Sequence, residues 1–300
     1  MNRPSGPIQY ESFMMRFAKR LGFVGVAWSL RRIYCPVSKD ALVLEIGSGG
    51  NPYARANVLC DAYVDTIERF YDRLVVDRPM VLAHAEQLPF KDDSFDFVIA
   101  SHVLEHSDEP EKFISEMQRV GKAGYIEVPD AFMERLTNYP FHRLEITDKD
   151  GQLLIRKKKA PTQDPELFEL FKNKARGVAR RWFETNPFNF HVRYYWDKNS
   201  GGIQYTVLNP EYVFDWEFSE PAVVSAEEKM SIKTRLHKIA LRIFRAALSQ
   251  GNRNKKINLE NYLRCLKCDG DVAKNESGYA CIKCSQTYPL VGSKIPNFTQ

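Results

Sequence analysis

The sequence predicts an α/β protein: a doubly wound, parallel sheet followed by a small metal-bound module. Three observations carry this expectation. Short apolar runs recur along residues 41–128 with a helical segment between two of them. The first run ends in the glycine-rich turn Gly47-Ser-Gly-Gly50. Four of the six cysteines form two Cys-x-x-Cys pairs near the C-terminus. The 300-residue chain is 44% hydrophobic and 27% charged, ample material for a buried core. No apolar run approaches the roughly 20 residues that cross a bilayer. Leu21–Leu30 follows Lys19-Arg20 as a signal-peptide core would, but it holds two glycines, runs into Arg31-Arg32 and lacks a small-x-small cleavage pattern. A cytoplasmic protein is the expectation.

Residues 8–34 read as one or two amphipathic helices ahead of the main domain. Ala41–Ile46 is a short apolar run entering a glycine turn, as a buried parallel strand does. Asn57–Asp61, Met80–His84, Phe95–Ser101 and Gly124–Val128 are the next four strand candidates. Between the last two, Asp108–Val120 is a helix. Asp108 or Glu109 can cap it, Pro110 suits its first turn, and Phe113, Ile114, Met117 and Val120 share one face. Strands alternating with helices imply a parallel sheet whose ligands bind outside the strands' carboxyl ends. Residues 131–224 are aromatic-rich, and their alternating stretches Gln152–Arg156 and Ile203–Val207 read as later strands of the same domain with insertions over its mouth. The cluster Phe188, Phe190, Tyr194, Tyr195 and Trp196 reads as core or lid. Residues 226–249 form a basic helix with Ile232, Leu236, Ile239, Ile243 and Ala247 on one face, and Gly251–Lys256 is a linker. The resulting division is 1–38, 39–224, 225–257 and 258–300.

Charge is uneven. Residues 1–225 hold 29 Lys and Arg against 32 Asp and Glu, whereas residues 226–300 hold 14 against 6. A basic C-terminal quarter suits an anionic contact, RNA or a membrane surface, or is solvated surface. Within it, Cys265-Leu-Lys-Cys268 and Cys281-Ile-Lys-Cys284 are separated by twelve residues. Two such knuckles supply four thiolates, a closed tetrahedral zinc site with no open position, so the metal's task is structural. A module this small has little core, and metal binding supplies its folding energy.

Glu45-Ile-Gly47-Ser-Gly49, then Ala85-Glu-Gln-Leu-Pro-Phe90, then Ser94-Phe-Asp-Phe-Val98, then His102-Val-Leu-Glu-His106 resembles the class I S-adenosylmethionine-dependent methyltransferases, nearest their small-molecule branch, over residues 40–130. The resemblance implies a Rossmann-like sheet and S-adenosyl-L-methionine as cofactor. It places Glu45, Gly47, Ser48 and Gly49 around the methionine portion, Asp61 at the ribose hydroxyls, and His84, Ala85 and Glu86 at the adenine. Ser101 and His102 then lie near the sulfonium. A nicotinamide dehydrogenase would need a third glycine opening a helix, and residue 52 is Pro. Two departures stand out. His84 occupies the position of the usual acidic residue, and only 14 positions separate Gly47 from Asp61, so the first crossover helix is short or irregular. Asp65 competes with Asp61 for the ribose.

Methyl transfer needs an aligned nucleophile and, for a hydroxyl or amine, removal of a proton. His106, His102 and His142 are the candidate bases, with His191 behind them and Glu105 as an accessory. Each has a plain alternative as a hydrogen-bonded structural histidine. Adenine-amine chemistry would want Asn/Asp-Pro-Pro-aromatic where Ser101-His-Val-Leu104 stands. Pyrimidine-carbon chemistry would want a nucleophilic cysteine, and neither Cys35 nor Cys60 is placed for it. Residues 258–300, with Tyr288-Pro and Ile295-Pro after the cysteines, resemble the small zinc-ribbon activator of tRNA, rRNA and release-factor methyltransferases, departing at Leu266 where Pro is usual. This resemblance implies that the ribbon packs in cis on the catalytic domain. The expected function is O-methylation of a small molecule or glycoside, such as a cell-surface polysaccharide or a lipid-linked precursor. RNA or protein methylation, or a non-catalytic binding protein that kept the fold, are the alternatives.

Overall fold

The computed structural model describes residues 10–69, 72–217, 239, 243–292 and 294–299. Its centre is a six-stranded sheet ordered β3-β2-β1-β4-β5-β8. β1 (Val43–Ile46), β2 (Val58–Asp61), β3 (Met80–Leu82), β4 (Phe97–Ser101) and β5 (Ala123–Pro129) run parallel. β8 (His191–Asp197) closes one edge antiparallel to β5. The five strands foreseen are all present, each trimmed by a residue or two at its ends except the last, which is longer.

The crossovers are leaner than a doubly wound sheet requires. The helix foreseen between β4 and β5 exists as α3 (Pro110–Val120), buried through Phe113, Ile114, Met117 and Val120. Glu109 occupies its cap position, but neither it nor Asp108 makes a capping bond; Pro110 at the first turn removes one of the donors that needs one. No helix joins β1 to β2, where a short or irregular one was expected, and only a single 3₁₀ turn (Ile67–Arg69) is described between β2 and β3.

Other parts of the chain take the place of those helices. On one face Leu44, Ile46, Val58, Cys60, Val98 and Ala100 pack with α3 and with Leu263, Tyr288 and Phe298 of the C-terminal module in one continuous core. On the other face Val43, Phe97, Ile99 and Tyr125 meet Tyr53, Cys35 and Val37. Ahead of these, α1 (Phe13–Arg20) and α2 (Val24–Leu30) fill the expected 8–34 region; the Ser12 hydroxyl accepts from the Met15 amide to start α1.

Residues 131–217 supply further strands, in two sheets, and residues 218–224 lie outside the described residues. β8 is a later strand of the main sheet. Gln152–Arg156 and Ile203–Val207 are not; they lie in β7 (Gln152–Lys157) and β9 (Tyr205–Val207), which join β6 (Leu144–Lys149) in a separate three-stranded sheet. Alternating apolar residues report that a strand exists, not which sheet accepts it. α4 (Ala131–Thr137), α5 (Pro165–Leu170) and α6 (Arg176–Thr185) complete this region. Phe190, Tyr194 and Trp196 are buried, so the aromatic cluster is core.

The C-terminal module is an antiparallel meander of β10 (Val272–Asn275), β11 (Gly278–Cys281), β12 (Thr287–Val291) and β13 (Ile295–Pro296). It is joined to the edge of the main sheet. The Phe298 amide donates to the Leu82 carbonyl at 2.7 Å, Arg264 to Pro89 at 2.9 Å, and Lys91 back to Tyr262 at 2.8 Å. β3 would otherwise expose its unpaired backbone. Most of the basic helix foreseen at 226–249 lies outside the described residues. Its described end places Arg245 3.2 Å from Asp77 and leaves Ile239 and Ile243 exposed. No described helix is long and apolar enough to cross a membrane.

Candidate active site

The loops after β1, β2, β3 and β4 open on one cavity of about 690 Å³ at the carboxyl ends of the parallel strands. Its walls include Gly47, Gly49, Asp61, Tyr63, Arg69, His84, Ala85, Glu86, His102, Val103 and His106. Three stretches far apart in sequence thus meet at the cavity: Ile46, Gly47 and Gly49, then Asp61, then His84–Glu86.

The turn after β1 is built for close approach. Gly47 and Gly49 both have positive φ, +64° and +54°. A Cβ on Gly47 would lie 2.1 Å from Val103 Cγ2, whereas one on Gly49 would meet nothing nearer than 3.8 Å. Only at Gly47 do conformation and space both demand glycine. Gly47→Ala should therefore push Val103 into the cavity and weaken binding of an adenosyl ligand at least tenfold. Gly49→Ala, strained but unobstructed, should cost less. Titration calorimetry on the two variants reads the difference.

Asp61 ends β2 behind this turn. Its Oδ2 accepts from the Gly49 amide at 2.9 Å and its Oδ1 from the Tyr63 amide at 3.1 Å, with Arg69 at 3.4 Å. Burial raises its pKa against the pull of those donors. Asp65 is exposed and does not line the cavity, so Asp61 alone of the two borders it. Tyr63 and His84 both line the cavity and pack against each other edge to face, ring centroids 5.8 Å apart.

Four site residues foreseen from the sequence are not on the cavity wall. Glu45 is buried beneath the turn, where Oε2 accepts from the Tyr53 amide at 2.7 Å; burial pushes its carboxyl up to about 8. It ties the chain after the turn to β1. Ser48 is buried, its Oγ unpaired. Ser101 points away, donating to Glu127 Oε1 at 3.0 Å. His142 is buried behind His106, ring to ring at 4.7 Å. Strand alternation explains Glu45: its flanking residues Leu44 and Ile46 pack on the opposite face of the sheet.

The two wall histidines differ in charge state. Burial alone would lower the pKa of His102, but Glu105 Oε1 and Glu127 Oε1, each 3.4 Å from a ring nitrogen, outweigh it and hold the value at about 9. Its backbone has φ +59°, pinned by a 2.7 Å bond from its amide to the Glu127 carbonyl. For His106 burial wins, assisted by His142 and His102 against the opposing pull of Glu105, and the pKa falls to about 3. At neutral pH His102 is an imidazolium, unable to accept a proton, and His106 is a neutral, weak base.

Sequence reading missed the group that sets this. Glu127 is wholly buried in β5 and is held bidentate by Arg31 at 2.7 and 3.0 Å, by Ser101, and by the Tyr125 hydroxyl at 2.5 Å. Burial would raise its pKa, but Arg31 and His102 outweigh it and hold the carboxyl well below the usual range. The available signal was a lone carboxylate in the apolar run Gly124–Val128. Its partner Arg31, 96 residues earlier, carried none.

In the C-terminal module the four predicted cysteines come together. Cys265 Sγ lies 3.6 Å from Cys284 Sγ and Cys268 Sγ 3.5 Å from Cys281 Sγ, and one sulfur of each is within 4.8 Å of all the others. A tetrahedron of thiolates about 2.3 Å from an ion has edges of about 3.8 Å. The Lys267 and Lys283 amides each reach a sulfur at 3.4 Å, and the Tyr288 hydroxyl reaches Cys265 at 3.2 Å. Donors aimed at sulfur suit thiolate, so the set fits a metal.

Residues 44–126 match the family model of a methyltransferase domain. Two uncharacterised proteins of Methanocaldococcus jannaschii are similar. One is 47% identical over 45 residues, 15% of this chain and 22% of its own; the other is 32% identical over 114 residues, 38% of this chain and 49% of its own. The chain spans about half, or less, of the length of these curated relatives. Among solved structures, an S-adenosylmethionine-dependent methyltransferase from Archaeoglobus fulgidus is 23% identical with a TM-score of 0.25, over 40% of this chain and 59% of that one. Residues 44–126 are thus similar to a methyltransferase domain.

Proposed function

We propose that the chain methylates an oxygen of a neutral, hydroxylated acceptor, a small molecule or glycoside such as a polysaccharide or lipid-linked precursor. S-adenosylmethionine would supply an activated methyl group at the cavity. The single observation that carries the reading is the convergence of the four strand-end loops on one cavity. Gly47 and Gly49 allow the methionine portion close approach, Asp61 accepts from the ribose diol, and Tyr63, His84, Ala85 and Glu86 enclose the adenine. His102 and His106 border the space left for the acceptor. Carboxylates of Asp61, Glu68, Glu86, Asp108 and Glu109 line the cavity against Arg69 and Lys112. An excess of negative charge favours an uncharged polyol over a polyanion such as RNA.

The division into residues 1–38, 39–224, 225–257 and 258–300 belongs to the same proposal. So does a structural zinc held by Cys265, Cys268, Cys281 and Cys284, with the ribbon acting in cis as a brace for β3. The acceptor is a proposal as well. Calorimetric titration with S-adenosylmethionine tests the core of the reading. Binding is expected in the wild type, with affinity reduced on the order of tenfold or more in Asp61→Ala, the loss of a charged hydrogen bond. No binding at millimolar cofactor would overturn it.

A further inference from the structure

A second cluster of ligating side chains lies against the cavity wall, apart from the cysteines. Glu105 and His106 sit in the 3₁₀ turn that follows β4, and His142 lies just before β6. The two segments are clamped by the Arg143 amide donating to the Glu105 carbonyl at 2.7 Å. One ligand atom from each of the three side chains lies within 4.8 Å of the other two. Glu105 and His142 are buried, and His106 reaches the cavity.

The polar atoms of this cluster are not accounted for by the protein. Neither carboxylate oxygen of Glu105 has a hydrogen-bond partner, and neither does Nδ1 of His106. The nearest charged contact of Glu105 is His102 at 3.4 Å, and that of His106 Nδ1 is Glu68 at 3.7 Å. Both are long for charge-assisted bonds, which run about 2.7–2.9 Å. Buried polar atoms in a folded protein are ordinarily paired; Glu105 Oε2 and His106 Nδ1 have no hydrogen bond and Glu105 Oε1 only the long contact to His102, which points to a missing partner that accepts lone pairs. A cation is such a partner.

The surroundings of His142 point the same way. Its Nδ1 is 2.6 Å from Glu134 Oε2, and Glu134 is itself held by Lys158 at 3.1 Å, deep in the core. Lys158 in turn donates to the Tyr139 carbonyl at 3.0 Å. The carboxylate fixes the tautomer with the proton on Nδ1, so that Nε2 presents a lone pair. A carboxylate behind the far nitrogen is the arrangement that orients histidine ligands in metal sites.

We propose that Glu105, His106 and His142 bind one divalent first-row metal ion beside the cavity. Two imidazoles and one carboxylate suit zinc, manganese, iron or cobalt, and three protein ligands leave coordination positions open. The open side faces the cavity through His106. This is a different class of site from the closed cysteine set. Its consequence for the reaction rests on the methyl-transfer reading. A cation beside the acceptor hydroxyl lowers the cost of its ionisation. The hydroxyl proton leaves to solvent, the oxygen bonds to the methyl carbon, and the carbon–sulfur bond breaks with its electron pair left on sulfur.

The test is the metal stoichiometry of the full chain, stripped with chelator and dialysed against Co²⁺. Two equivalents are expected, one with sulfur-to-cobalt charge-transfer absorption and one without. His142→Ala and His106→Gln should each weaken the second at least tenfold and leave the thiolate absorption unchanged. Glu134→Gln keeps the ligands and should still weaken the second equivalent about tenfold, a change that covers variants too damaged to fold. A wild-type chain that binds no cobalt beyond the thiolate-ligated ion, or variants that all retain the second ion, would overturn the site. The outcome is separable from methyl transfer. A second ion without cofactor binding sinks the enzyme and leaves the site; cofactor binding without a second ion does the reverse.

Discussion

Glu127→Ala should destabilise the protein by about 3–5 kcal/mol, the cost of breaking a buried ion pair from one side. In a chain of this size that corresponds to a fall in Tm on the order of 10 °C. The alanine leaves the Arg31 guanidinium buried with its counter-charge gone. Arg31 keeps only the Trp28 carbonyl at 2.7 Å and the Trp28 ring at 3.5 Å. The Ser101 and Tyr125 hydroxyls lose their acceptor, and the cavity wall changes too. His102 loses one of the two carboxylates that keep it charged, so its pKa should fall from about 9 toward the ordinary range. Thermal melts and histidine NMR titration check the two halves. The pair Arg31→Met with Glu127→Leu should recover much of the stability, because a fitted apolar pair avoids the desolvation cost. A melting temperature for Glu127→Ala within a degree or two of wild type would show that the network carries no weight.

Removing the proposed zinc should unfold the C-terminal module and weaken the main sheet with it. Zinc at four thiolates contributes an apparent 10–16 kcal/mol in small modules, more than a meander of four short strands can replace. Here the loss does not stay local. Tyr288 and Phe298 stack at 4.0 Å and sit in the same core as Leu44, Val81, Phe90 and α3. The Phe298 bond to Leu82 is a backbone pairing of β3, and Ile295 packs on Leu59, Met80 and Leu82 on the opposite face. Chelation, or Cys281→Ser, should therefore produce new protease cleavage in residues 258–292 and a lower Tm for the whole chain. Wild-type melting and cleavage after complete metal removal would refute the structural role.

The parallel strands, the glycine turn, α3 and the cysteine set were legible because each is a local pattern with a local cause. A four-residue apolar run before Gly47 is buried wherever it falls in a parallel sheet. Two Cys-x-x-Cys knuckles bring sulfurs together with little help from the rest of the chain. The short Gly47–Asp61 interval excluded a regular first crossover helix by length alone. By contrast, the alternation at Gln152–Arg156 and Ile203–Val207 announced strands but not the separate sheet that takes them, because alternation does not name a partner strand.

The order of the elements and the identity of the cavity loops follow from the chain itself, through hydrophobic periodicity and the backbone freedom of glycine. What the folded molecule alone settled is the electrostatic surroundings of the two wall histidines. The two wall histidines shift in opposite directions because His102 has a carboxylate 3.4 Å from each ring nitrogen, whereas at His106 desolvation and the neighbouring His142 and His102 outweigh the pull of Glu105. Arg31 reaches Glu127 across 96 residues, and Glu134 reaches His142 from a helix that no motif announced. Electrostatic energies depend on distance in space and on exclusion of water, and neither quantity is written along a sequence.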